Sequence, residues 1–174
     1  MPCRVLKELS NELAPVLSAI YTQSLTSGSL PSQWLTANIS PVFKKGMSCL
    51  PENYRPIGLT CIFCKIMEHI VYTHIRAHLD KYGILSKVHH GFRASHSCET
   101  QLLTTLHDIL SSRDRNIQID AAVLDFSKAF DKVPHKGLMS KLQLYGIQGN
   151  VFEWIRAFLS NRTQRVLVEE VMSS

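Results

Sequence analysis

Apolar residues in the first segment fall at Val5, Leu6, Leu9, Leu13, Val16, Leu17, Ile20, Tyr21 and Leu25, which is the three-and-four spacing of a helical stripe. Pro15 lies inside that stripe and predicts a kink or two abutting helices, with Gly28 and Pro31 marking the end. Ala37 to Phe43 reads as a short strand, and Pro41 predicts an edge position because proline brings no N–H to a ladder. Ile62, Phe63, Ile66, Met67, Ile70, Val71, Ile75 and Leu79 predict a second helix, stopped near Gly83. Ser97 is a candidate N-cap, with Glu99 in the first turn, for a third helix carrying Leu102, Leu103, Leu106, Ile109 and Leu110.

The polar stretch Ser111 to Asn116 predicts a turn and the boundary between two regions, 1–115 and 116–174. Beyond it, Ile117 to Phe126 has apolar residues on both faces, Ile119, Ala121 and Val123 on one and Ala122 and Leu124 on the other. Such a run predicts a central strand, and this one closes on an acid, Asp125. Two short helices follow, around His135–Tyr145 and Val151–Leu159, then a strand at Arg165–Val168. The expected fold class is α+β.

The 174 residues are 45% hydrophobic and 19% charged, a globular composition that argues against disorder. No run of about 18 apolar residues is present, so no membrane span is expected. The first residues open no leader-like apolar run, so an intracellular setting, nucleus or cytoplasm, is expected. Nineteen Lys and Arg against 14 Asp and Glu give a net charge of +5, which suits a polyanionic partner. The five cysteines are odd in number and irregularly spaced, which fits reduced thiols.

The chemistry-bearing stretch is Asp125-Phe126-Ser127-Lys128-Ala129-Phe130-Asp131-Lys132-Val133-Pro134-His135. A carboxylate at a strand end can face a ligand at the sheet rim, where divalent metals with oxygen ligands suit it. By spacing alone, Asp125 reads first as an ordinary turn or cap former. A rival pattern is Cys61, Cys64, His69 and His74, spaced C-x2-C-x4-H-x4-H in the manner of a zinc knuckle. The residues between them continue an amphipathic helix, which spreads the four side chains around its axis and argues against a common ion. His74 and His78 form an i, i+4 pair without an intervening metalloprotease-type acid, which reads as a polar helix face.

The stretch from Asp125 resembles the first catalytic motif of reverse transcriptases from non-LTR (LINE-type) retrotransposons. Other blocks resemble the same family in the same order. Trp34 with Pro41-Val42-Phe43-Lys44-Lys45-Gly46 resembles the entry strand, and Asn53-Tyr54-Arg55-Pro56-Ile57-Gly58-Leu59-Thr60 the fingers motif. Lys65-Ile66-Met67-Glu68, His90-Gly91-Phe92-Arg93, Ser97-Cys98-Glu99-Thr100-Gln101-Leu102, Trp154-Ile155 and Leu159 to Val166 follow in place. The resemblance implies a partial right-hand polymerase fold, with a helical fingers-like region at 1–115 and an incomplete palm sheet at 116–174.

By position, the resemblance makes Asp125 the first metal-binding aspartate and the Phe126 carbonyl a backbone metal ligand, in a two-metal Mg2+ site. Phe130 occupies the steric-gate position that favours a dNTP over a ribonucleotide; without the resemblance it reads as a core phenylalanine. Lys44, Lys45 and Arg55 are implied contacts of the incoming triphosphate, where charge-assisted donors hold phosphate oxygens. The sequence leaves the choice between Lys44 and Lys45 open, and a solvated basic loop is the alternative. Arg93 is implied to support the template or the fingers. In the intact family enzyme the partners are an RNA template, a DNA primer and a dNTP.

Departures from the pattern are His89, where the family usually has Gln, and His96, where a basic residue is usual. The family's paired-aspartate block, its Gln-Gly helix start and its thumb are not found in these 174 residues. Asp108, Asp120, Asp131 and Glu169 occupy no position that the family uses for metal. The expectation is a truncated reverse transcriptase domain without polymerase activity on its own. The alternatives are a non-catalytic nucleic-acid-binding or structural remnant, a fragment that misfolds for want of the remaining palm, and a zinc-knuckle-like module.

Overall fold

The computed structural model describes residues 3–168 and 171–173, so Glu169 lies outside the described residues. Two compact units form: residues 1–76 with 134–174, and residues 77–133. Packing therefore divides the chain along a different line from the polar turn near residue 115, because segments distant in sequence share one core.

In the first unit, α1 (Cys3–Glu8) and α2 (Ser10–Ser27) form the expected helical stretch. The break between them falls at Leu9, and Pro15 is carried inside α2. Proline forfeits its own N–H bond to the preceding turn. Packing of Leu17, Tyr21 and Leu25 against the core holds the helix through that loss. Gly28 closes α2 at φ +64°, a left-handed cap that a residue without Cβ adopts freely.

The core gathers Tyr21 of α2, Trp34 of α3 (Ser32–Leu35), Cys64, Met67 and Val71 of α4 (Ile62–Lys81) and Trp154 of α7 (Gly149–Leu159). Its aromatic members satisfy their polar ends internally. The Tyr21 hydroxyl donates to the Phe63 carbonyl at 3.0 Å, and the Trp154 indole N–H donates to Ser24 Oγ at 3.1 Å. Trp154 also stacks on Phe158 with ring centroids 5.2 Å apart. The helix α6 (His135–Leu144) precedes α7 as the apolar spacing predicts.

The sheet runs β2-β1-β3-β4, built from β1 (Thr36–Phe43), β2 (Tyr54–Leu59), β3 (Thr163–Val168) and β4 (Val171–Met172). β1 pairs antiparallel with β2 and parallel with β3, so it is an inner strand and not the expected edge. Pro41 is accommodated by register. The Lys44 N–H donates to the Asn53 carbonyl at 2.8 Å, which fixes the even positions of β1 as the hydrogen-bonded ones toward β2. Pro41 and its partner Pro56 thus face each other at a non-hydrogen-bonded position, where neither needs an N–H for the other. The parallel pairing with β3 spans Thr36 to Ile39 and stops short of Pro41.

In the second unit, α4 ends at Gly83 as expected. Gly83 takes φ +59°, its N–H reaches the Asp80 carbonyl at 3.2 Å, and the Ile84 N–H reaches Leu79 at 3.0 Å. Ser97 caps α5 (Cys98–Asp114) through a reciprocal box: Ser97 Oγ accepts from the Thr100 N–H, and Thr100 Oγ1 accepts from the Ser97 N–H. The apolar stripe of α5 is exposed rather than packed.

The expected central strand at Ile117–Phe126 is not formed. The segment has no strand assignment, and Val123 and Leu124 are 94% and 83% exposed. Two-sided apolarity records a preference, whereas a strand exists only through ladder bonds to a neighbour. Among the described residues no strand pairs with this segment.

Candidate active site

The hairpin of β1 and β2 is a built structure at its tip. Phe43 and Tyr54 meet edge to face across the last rung, with ring centroids 5.4 Å apart. Asn53 Nδ2 donates to the Met47 carbonyl and the Tyr54 hydroxyl donates to the Ser48 carbonyl, each at 2.8 Å, which ties the loop back onto its own base. Gly46 is required there: its φ is +94°, and a Cβ would come within 2.7 Å of the Asn53 side chain.

That register decides which cations share a face. Arg55 pairs with Val42, and the Lys44–Asn53 bond carries the ladder one rung further. By the two-residue alternation, Lys44 and Arg55 lie on the same face of the hairpin, while Lys45 lies in the bend beyond β1. All three are exposed.

In the second unit, Asp125 and Phe126 sit in the exposed segment that runs into a turn at Ser127–Lys132, with Lys128 at φ +53°. Asp125 is therefore not at the rim of a paired strand. Phe130 is 77% exposed and its ring meets Phe92 edge to face at 6.1 Å. Sequence reading passed over Phe92; its place beside Arg93 in the Gly-Phe-Arg block was the available signal. Arg93 turns inward: Nη1 donates to the Ser86 carbonyl at 2.9 Å, and Nη2 lies 3.9 Å from Asp80. It ties the end of α4 to the following loops.

The Asp125 carboxylate and the Phe126 carbonyl are hard oxygen donors, the class that Mg2+ takes. Among the described residues no cluster of three or more His, Cys, Asp or Glu converges on a point. The zinc-knuckle residues stand in unlike surroundings. Cys64 is wholly buried and donates its thiol proton to Glu68 Oε1, while His69 and His74 are exposed along α4. Burial, then the Glu68 hydrogen bond, raise the Cys64 pKa from 9.0 to about 12, which opposes the thiolate that zinc needs.

Residues 42–173 match the family described as "Reverse transcriptase (RNA-dependent DNA polymerase)", and the chain belongs to that family. The relatives bear out the resemblance to non-LTR retrotransposon enzymes. The "RNA-directed DNA polymerase from mobile element jockey" of Drosophila melanogaster is 29% identical over 173 residues, 98% of this chain and 19% of the relative. The "Probable RNA-directed DNA polymerase from transposon BS" of the same organism is 32% identical over 139 residues, 79% of this chain and 15% of the relative. The "Retrovirus-related Pol polyprotein from type-1 retrotransposable element R2" of Popillia japonica is 26% identical over 145 residues, 83% of this chain and 20% of the relative. The chain thus spans a fifth or less of the length of these curated relatives. No helix among the described residues is long and apolar enough to cross a membrane.

Proposed function

We propose that the chain supplies the fingers and the first palm motif of an RNA-directed DNA polymerase of right-hand architecture, with residues 1–115 fingers-like and 116–174 the start of the palm. The observation that carries this reading is the pairing of Lys44 and Arg55 on one face of a braced hairpin tip. Two exposed cations on one face of the tip suit the β- and γ-phosphates of a dNTP, whose negative charge grows as the leaving group departs. Lys45, in the bend beyond β1 and outside the ladder, is the weaker triphosphate ligand of the pair.

Asp125 and the Phe126 carbonyl offer the oxygen donors on the palm side. Mg2+, when bound, neutralises the attacking and leaving oxygens of nucleotidyl transfer. Phe130 presents an exposed ring that excludes a 2′-hydroxyl, with Phe92 limiting its freedom from one side. One carboxylate and one carbonyl do not hold two ions, so the polypeptide by itself is inactive in this reading. RNA template and DNA primer are the macromolecular partners.

Titration of the chain with a fluorescent dNTP tests the proposal. Lys44→Gln with Arg55→Gln should weaken binding about tenfold or more, roughly 1.4 kcal/mol; unchanged affinity overturns the assignment. A primer-extension assay should give no incorporation, and magnesium-dependent incorporation by the chain alone would refute its inactivity. A non-catalytic nucleic-acid-binding remnant is the second reading, favoured by the unpaired setting of Asp125. Binding of RNA without binding of dNTP selects it.

A further inference from the structure

The two faces of the sheet differ in chemistry. Ile39, Pro41, Tyr54, Pro56, Val166 and Val168 line one face. The other carries a polar groove of about 710 Å³ whose polar lining is Ser32, Gln33, Thr36, Asn38, Thr60 and Arg165. Arg165 pairs in register with Asn38, which pairs on its far side with Leu59, so the three stand in one row across β3, β1 and β2. Thr36 and Thr163, two rungs away on the same face, join their hydroxyls at 3.0 Å. No carboxylate lines the groove, and among the described residues the exposed Arg165 guanidinium has no ion-pair partner. By alternation this is also the face of Lys44 and Arg55, with Arg165 toward the opposite end of β1.

We infer that this groove is a second phosphate contact, which holds the phosphodiester backbone of a single nucleic-acid strand through Arg165 with the surrounding amide and hydroxyl groups. It rests on the nucleic-acid-binding part of the proposed function and goes beyond the triphosphate cluster. The cation supplies charge neutralisation, while the hydroxyls and amides both donate and accept, as sugar and phosphate oxygens require. Such a contact adds affinity without reading sequence.

Anisotropy titrations of mixed-sequence single-stranded RNA and DNA against the full chain, between about 50 and 200 mM salt, test it. Arg165→Gln should weaken binding about three- to tenfold and reduce the log–log salt slope by about one, whereas Arg165→Lys keeps the slope. A reduced slope with both polymers, or with RNA alone, supports the inference, the second adding ribose recognition. An unchanged slope in Arg165→Gln, while Lys44→Gln with Arg55→Gln still weakens dNTP binding, overturns this groove and leaves the proposed function standing. Absence of any oligonucleotide binding by the unaltered chain overturns both. Loss of dNTP binding in Arg165→Gln, with oligonucleotide binding unchanged, assigns Arg165 to the nucleotide cluster and also overturns it. Unaltered urea unfolding of the variant checks that its fold is intact.

Discussion

Trp154 donates its indole N–H to Ser24 Oγ at 3.1 Å, and the Ser24 hydroxyl donates in turn to the Ser29 carbonyl at 2.7 Å. The relay joins α7 to the end of α2 across most of the chain, inside a core where both residues are buried. Ser24→Ala should cost about 1–3 kcal/mol, because it strands the buried indole N–H. Trp154→Ala should cost about 3–5 kcal/mol through the cavity and the lost stack on Phe158. Urea unfolding measures both, and a Ser24→Ala midpoint equal to that of the unaltered chain would sink the relay.

Cys64 gives the molecule a pH dependence of known direction. Its pKa is raised from 9.0 to about 12, first by burial and then by the hydrogen bond to Glu68. The folded state therefore holds a proton that the unfolded state releases. The stability this contributes is complete below about pH 9 and is lost as pH rises toward about 12. At pH about 8 iodoacetamide should label the exposed Cys49 and Cys98 and spare Cys64 until the chain is unfolded. Mass spectrometry of labelled peptides reads the order.

At α5 the reciprocal box of Ser97 and Thr100 satisfies two N–H groups at the helix start. Ser97→Ala should destabilise this end by about 1 kcal/mol. Because α5 buries no residue, the loss should register locally, as faster amide exchange in the first turn. The Glu99 carboxyl, held below its ordinary pKa by the Ser97 hydrogen bond, should move back up in the same variant, observable by NMR titration.

Gly46→Ala forces a Cβ to within 2.7 Å of Asn53 at a φ of +94°. The strain is about 1–3 kcal/mol and is concentrated at the hairpin tip. Weaker dNTP binding, with the α2–α4–α7 core still unfolding at nearly the same urea concentration, is the expected result. Loss of the core together with binding would show that the tip and the core are one cooperative unit.

Helices were legible wherever an apolar face met a core: α2, α4 and α7 each carry their stripe in the sequence. The stops of α2 and α4 at Gly28 and Gly83, and the start of the exposed α5 at Ser97, act locally and were legible for that reason. The family was equally legible, since ordered blocks of residues survive translation into a one-dimensional pattern. Strand pairing was not. Pro41 spoke for an edge, yet register gave it an inner strand, and the apolar run ending at Asp125 found no partner among the described residues. Which lysine stands beside Arg55, and that Arg165 shares their face, depend on rungs between segments far apart in the chain. A helix closes its hydrogen bonds within itself, so its sequence contains most of its instructions. A sheet borrows its bonds from elsewhere, and only the tertiary structure says from where.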